Sequence, residues 1–219
     1  QDERDPERRG AQGRLTVNEV ADVPVMRYVR IFVCVVSLFA VQAAFREGEL
    51  VRVAQVVLTG TALVLAAQLE SGHPKVLRVA WIVSGVSLVV SVVHLVGRDA
   101  SRAGGGLLVL NGLLVAAGPV LIVDSMRRHP SVSVRTLLGA VTIYVLIGLF
   151  FAYLYRAILL FDHEAFTAHV GVLTPAALQY LSFVTLTTVG FGDITAVSSG
   201  ARTLVALEAL IGQIYLVTV

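Results

Sequence analysis

Charge is scarce in this sequence. Asp, Glu, Lys and Arg make up 15% of its 219 residues, against roughly 25% in an ordinary soluble domain. With 56% hydrophobic residues and a mean hydropathy of +0.81, that deficit points to a membrane protein. The formal charge of +2 is too small to suggest a nucleic-acid partner. Cysteine is nearly absent: Cys34 stands alone in an apolar run, so no disulfide can close within one chain. The motifs of common enzyme chemistry are missing too. There is no phosphate loop and no Gly-x-Ser-x-Gly nucleophile elbow. His163-Glu164 and His169 lack the His-Glu-x-x-His spacing of a zinc protease helix, and the five histidines form no other cluster in sequence. Nothing supports an enzyme, and no organic cofactor is implied.

What is present is a series of long apolar runs. They extend from about Tyr28 to Phe45, Leu50 to Leu69, Val76 to Val96, Leu107 to Val123, and Val134 to Phe161, with a last one from about Ser199 that is still running at Val219. The first five are each near the ~20 residues that cross a bilayer as a helix. The links between those five are short and hold most of the charge, so their helices should be antiparallel neighbours. Three parts are expected: a cytosolic N-terminal segment over 1–24, a four-helix transmembrane bundle over 25–126, and a further membrane unit over 127–219. A cytosolic N-terminus places Arg4, Arg8, Arg9, Arg14, Arg27, Arg30, Lys75, Arg78, Arg127, Arg128 and Arg135 inside. It leaves Arg46, Arg52, Arg98, Arg102, Arg156 and Arg202 outside. Basic residues favour the cytosolic side, so this is the expected orientation, in a multi-pass protein of the plasma (inner) membrane.

Residues 162–198 do not fit one more span. Asp162-His-Glu164 through His169 reads as an exposed outer loop. Thr174-Pro175 then reads as an N-cap followed by proline at the first helical position. The apolar stretch from Ala176 to about Leu186 is too short to cross. It suits a re-entrant helix, tolerated at membrane depth when protein surrounds it. Such a helix points its partially negative C-terminal end toward the membrane centre, where a cation is stabilised.

At that end stands Thr185-Leu-Thr-Thr-Val-Gly-Phe-Gly-Asp193. A potassium ion crossing a narrow pore must exchange water for oxygens at fixed spacing. Consecutive backbone carbonyls can supply them only if all face one axis, whereas an ordinary strand alternates its carbonyls. Some residues must therefore take positive φ, and Gly190 and Gly192 can do so at little steric cost. Val189 and Phe191 would turn their side chains away, to pack behind.

Thr188-Val-Gly-Phe-Gly192 closely resembles the T-V-G-[YF]-G selectivity filter of potassium channels. Residues 134–219 resemble the outer helix, pore helix, filter and inner helix of the tetrameric potassium channel family. The whole resembles its six-transmembrane prokaryotic plan. The implied fold is all-α: six transmembrane helices, a re-entrant pore helix and a filter loop. The resemblance implies a homotetramer around one axis, with K+ bound at Thr188, Val189, Gly190, Phe191 and Gly192. Thr187, Tyr180, Asp193 and Glu208 become filter supports. Tyr180 sits where an aromatic donor to the aspartate is often found. Val184 stands where some members carry a carboxylate, a departure that suggests weaker bracing and altered inactivation. Phe191 replaces the commoner tyrosine but keeps the backbone.

Glu208 is an acid on an apolar helix, which membrane protein tolerates when the acid is paired or wet. It is expected to brace the back of the filter through a hydroxyl or backbone partner. Gly212 matches the hinge glycine of the inner helix, although a glycine there equally permits close helix packing. Voltage sensors carry Arg or Lys every third residue on their fourth helix, but residues 104–123 contain no basic residue. The first four helices should therefore steady the pore and confer no intrinsic voltage gating. Asn111 and Asp124 could join polar contacts between them. Many relatives attach ligand-binding domains after the inner helix, which leaves room for a cytosolic regulatory domain beyond Val219. The alternatives are a cation channel of relaxed K+/Na+ selectivity and a potassium-transporter pore subunit. Transporters usually carry several degenerate pore repeats in one chain, and this chain has one.

Overall fold

Apolar runs that avoid water must satisfy their backbone internally, and a helix does so within one segment. The computed structural model describes residues 25–44, 49–69, 74–96, 111–123, 134–169 and 171–218. They are mostly helical: α1 Val25–Ala44, α2 Glu49–Leu69, α3 Pro74–Val96, α4 with described residues Asn111–Val123, α5 Val134–Phe161, α6 Pro175–Leu186 and α7 Ser199–Thr218. Three stretches are long and apolar enough to cross a membrane: Val25–Gln42 in α1, Thr136–Phe161 in α5, and Ser199–Thr218, which is α7. The front helices α2, α3 and α4 contain shorter apolar stretches, Val53–Gln68, Leu77–Val89 and Asn111–Val123. The architecture is that of an all-α membrane protein in its main elements. The N-terminal segment 1–24, the charged links at 45–48, 70–73, 97–110 and 124–133, and with them Asp124, lie outside the described residues.

The helix α1 is central to the packing. It lies against α2, α5 and α6, while α2 lies against α3. Its buried stripe is Tyr28, Ile31, Val35 and Leu38, the three-and-four spacing of one helical face. That stripe joins Ala62 and Ala66 of α2, Val115 and Ile122 of α4, and Ile143, Leu146, Leu149 and Tyr153 of α5 in one core. Front helices and α5 thus share a single apolar interior.

A second core gathers Phe151 and Tyr155 of α5, Leu178 and Leu181 of α6, and Ala201 of α7 around Ala165, Phe166 and Ile194. Here the expectation of an exposed loop from Asp162 through His169 holds at His163, Glu164, Thr167 and His169, which are exposed, and is corrected at its middle. Phe166–Ala168 forms strand β1, paired antiparallel with β2, Ile194–Ala196, in the register Phe166↔Ala196 and Ala168↔Ile194. Ala165 and Phe166 are buried, and the Phe166 ring lies 5.1 Å from that of Tyr155. The cause is apolar: Phe166 fills the space above α5, and pairing satisfies the backbone it carries down. The all-α expectation therefore gains one small sheet.

Candidate functional site

The site is built on α6. Thr174, with φ −97° and ψ 164°, is its N-cap, and its hydroxyl oxygen accepts from the Ala177 amide at 3.1 Å. Pro175 follows at the first helical position, where its missing N–H costs nothing. The helix buries Leu178, Gln179, Leu181, Ser182, Val184 and Leu186 against α5, α7 and α1. It ends at Leu186. The Thr187 hydroxyl donates back to the Phe183 carbonyl at 2.6 Å, so this side chain closes the helix end and does not reach the loop beyond.

The loop is tied to that end by its backbone. The Thr188 amide donates to Thr185 O at 2.9 Å, and the Val189 and Gly190 amides both donate to Val184 O, at 2.9 and 3.3 Å. Val184 has no carboxylate to offer, but its carbonyl holds two successive amides of the loop. Three alternate residues then have positive φ: Thr188 at 59°, Gly190 at 56° and Gly192 at 77°. Left-handed residues alternating with ordinary ones are the backbone condition for successive carbonyls to face one side. The two glycines take this conformation freely. Thr188 does so at a cost of roughly 1–2 kcal/mol, the one strained position the sequence did not announce. Thr187 through Gly192 are exposed on the chain. Neither side chain expected to pack behind the loop is buried within one chain: Val189 stays 53% and Phe191 69% exposed, although the Phe191 ring lies parallel to that of Tyr180 with centroids 6.4 Å apart.

Behind the loop, the Tyr180 hydroxyl lies near the Asp193 side chain, and the Asp193 carbonyl accepts from the His169 amide at 2.8 Å. The aspartate is thus held through its backbone. Arg202, at the start of α7, donates through Nε to Ala196 O at 3.2 Å.

Glu208 of α7 is fully buried. Its Oε2 is met by the Tyr155 hydroxyl of α5 and its Oε1 by the Ser182 hydroxyl of α6. The sequence led to the expectation of a hydroxyl or backbone partner, and the structure supplies two hydroxyls. The available signal was a hydroxyl on an apolar helix, which in a membrane needs a partner. Gly212 lies under the end of α6. A Cβ placed on it would sit 2.8 Å from Leu186 O and 2.9 Å from Leu186 Cδ1. The same Leu186 carbonyl accepts from the Tyr144 hydroxyl at 3.0 Å. Gly212 is thus a point of close packing within a continuous helix.

Residues 140–219 match the family model described as an ion channel. The match starts inside α5 and takes in α6, the loop and α7, so every residue of the site falls within it. No curated protein and no solved structure matches the chain. The C-terminal part is therefore similar to an ion-channel domain, in a helical membrane protein. That likeness implies permeant ions as the cargo.

Proposed function

We propose that the chain is one subunit of a potassium-selective, passive channel. The observation that carries this reading is the alternation of positive φ at Thr188, Gly190 and Gly192. It falls within Thr-Val-Gly-Phe-Gly, directly after a capped helix too short to span. The carbonyls of residues 188–192 replace the hydration shell of K+, and the negative end of α6 stabilises the waiting cation. One loop cannot enclose an ion. The exposure of Thr187 through Gly192 on a single chain supports a homotetramer, in which four loops face one axis. Tyr180 and Asp193 hold the outer end of the filter, and Glu208 braces it from behind. The front helices complete a six-transmembrane subunit in the plasma membrane with its N-terminus cytosolic. With no basic residue over 104–123, they do not gate the pore by voltage.

The test is flux into liposomes containing the purified protein, with K+ and Na+ compared. K+ should pass and Na+ should not, and Gly190→Ala should abolish the K+ flux while the protein stays helical by circular dichroism. Equal K+ and Na+ flux would leave a cation channel of relaxed selectivity. Flux and selectivity unchanged by Gly190→Ala would remove the filter assignment altogether.

A further inference from the structure

The hydrogen bonds around Glu208 contain one proton too few for a carboxylate. The Ser182 hydroxyl lies 2.6 Å from the Gly148 carbonyl oxygen and also meets Glu208 Oε1. A serine hydroxyl has a single proton to donate. A backbone carbonyl can only accept, so the proton at the 2.6 Å contact must come from Ser182. The remaining contact, between Ser182 Oγ and Glu208 Oε1, is then two oxygens with no hydrogen between them unless Glu208 brings one. The other carboxyl oxygen offers no relief. Oε2 accepts from the Tyr155 hydroxyl, whose one proton is thereby used.

We infer that Glu208 is held as the neutral carboxylic acid, donating its proton to Ser182. The donors then run in one direction: Tyr155 to Glu208, Glu208 to Ser182, and Ser182 to the Gly148 carbonyl, where the chain ends without needing a proton. Every hydroxyl donates once. The surroundings agree with this placement. Glu208, Ser182 and Tyr155 are each 0% exposed, and an ionised carboxylate away from water requires an ion pair or a full set of donors. Both described partners of this carboxyl are hydroxyls, and Ser182 and Thr185 belong to the half of α6 nearer its negative end, which disfavours a second negative charge.

As a neutral acid, Glu208 is a positioning residue. It joins α5, α6 and α7 at one point without setting a fixed charge behind the loop. This role rests on the channel reading; the placement of the proton does not.

Infrared spectroscopy of the protein in lipid at neutral pH tests the placement without reference to flux. The wild type should show the C=O stretch of a protonated carboxylic acid, separate from the carboxylate and amide bands, and Glu208→Gln should lose it. Glutamine can accept from Tyr155 and donate to Ser182, so this variant should keep the wild-type melting temperature. Ser182→Ala should move the acid band to higher frequency, because the acid loses its acceptor; that shift assigns the band even if Glu208→Gln fails to fold. Absence of an acid band in the wild type overturns the proposal, as does a band unmoved by both substitutions. An acid band without K+ flux would instead refute the channel reading and leave the proton where it is placed here.

Discussion

Two buried serines measure the difference between the front helices and the ion-channel region. Ser87 on α3 and Ser182 on α6 are both 0% exposed. The Ser87 hydroxyl has no hydrogen-bond partner among the described residues. Ser182 has two, on two different helices. The contrast extends beyond them. Asn111 Oδ1 on α4 is also without a partner, and a small cavity of about 10 Å³ lies among α1, α2 and α4, lined mainly by apolar side chains such as Val35, Leu63 and Ile122. In the ion-channel region, Tyr144, Tyr155 and Tyr215 each place a hydroxyl on a named acceptor of another element. Directed bonds between the front helices are longer and sparser, such as Cys34 Sγ to Leu58 O at 3.3 Å and Ser84 Oγ to Gly60 O at 3.4 Å, so shape carries more of their packing than it does around the loop. Where the two meet, both rules apply: Gln179 Nε2 of α6 donates to Phe39 O of α1, while its Oε1 has no partner.

The largest effect expected from breaking this contrast is at Gly212. Alanine there would set a methyl group 2.8 Å from a backbone carbonyl that cannot move without disturbing the end of α6. Overpacking of this kind costs about 1–3 kcal/mol. If Gly212 were only a flexible point in α7, alanine would raise helix stability by about 1 kcal/mol. The two readings differ in sign, so thermal unfolding of Gly212→Ala in lipid or detergent decides between them. A lower melting temperature supports close packing, and a higher one supports a hinge.

The parts of this region that were legible in sequence are those whose cause is local. Thr174-Pro175 marked the start of α6 because capping chemistry lies within a few residues. Gly190 and Gly192 marked positive φ because only glycine takes it freely. Thr188 did not, since nothing in a threonine announces a left-handed backbone imposed by its neighbours. The strands β1 and β2 are three residues each, too short for a period-2 pattern to register. The partners of Glu208 were not legible either: Ser182 and Tyr155 lie 26 and 53 residues away in sequence. That the acid would need a hydroxyl or backbone partner was a matter of chemistry. Which hydroxyl depended on how three helices cross. The contact of Gly212 with Leu186 had the same origin, so packing and hinge could not be separated before the fold was known.

The next effect sharpens the comparison from the side of the ion-channel region. Ser182→Ala removes a hydroxyl that serves the Gly148 carbonyl and Glu208 together, leaving a buried carboxyl group one partner short. Stranding a buried polar group costs about 1–3 kcal/mol. The melting temperature should fall, and it should fall less in a Glu208→Leu background, where no carboxyl group is left unsatisfied.

The smallest effect, of opposite sign, is expected for the same substitution at the other serine. Ser87→Ala removes a buried hydroxyl whose oxygen has no partner, so no bond is lost and a desolvated polar atom is removed. Alanine is also the better helix former, by a few tenths of a kcal/mol. Stability should therefore hold or rise slightly, by no more than about 1 kcal/mol. The two variants make the same chemical change at equal burial, so the difference between their melting temperatures isolates what the surroundings contribute. If Ser87→Ala destabilised the protein as much as Ser182→Ala, the front helices would rely on directed bonds as much as the ion-channel region does.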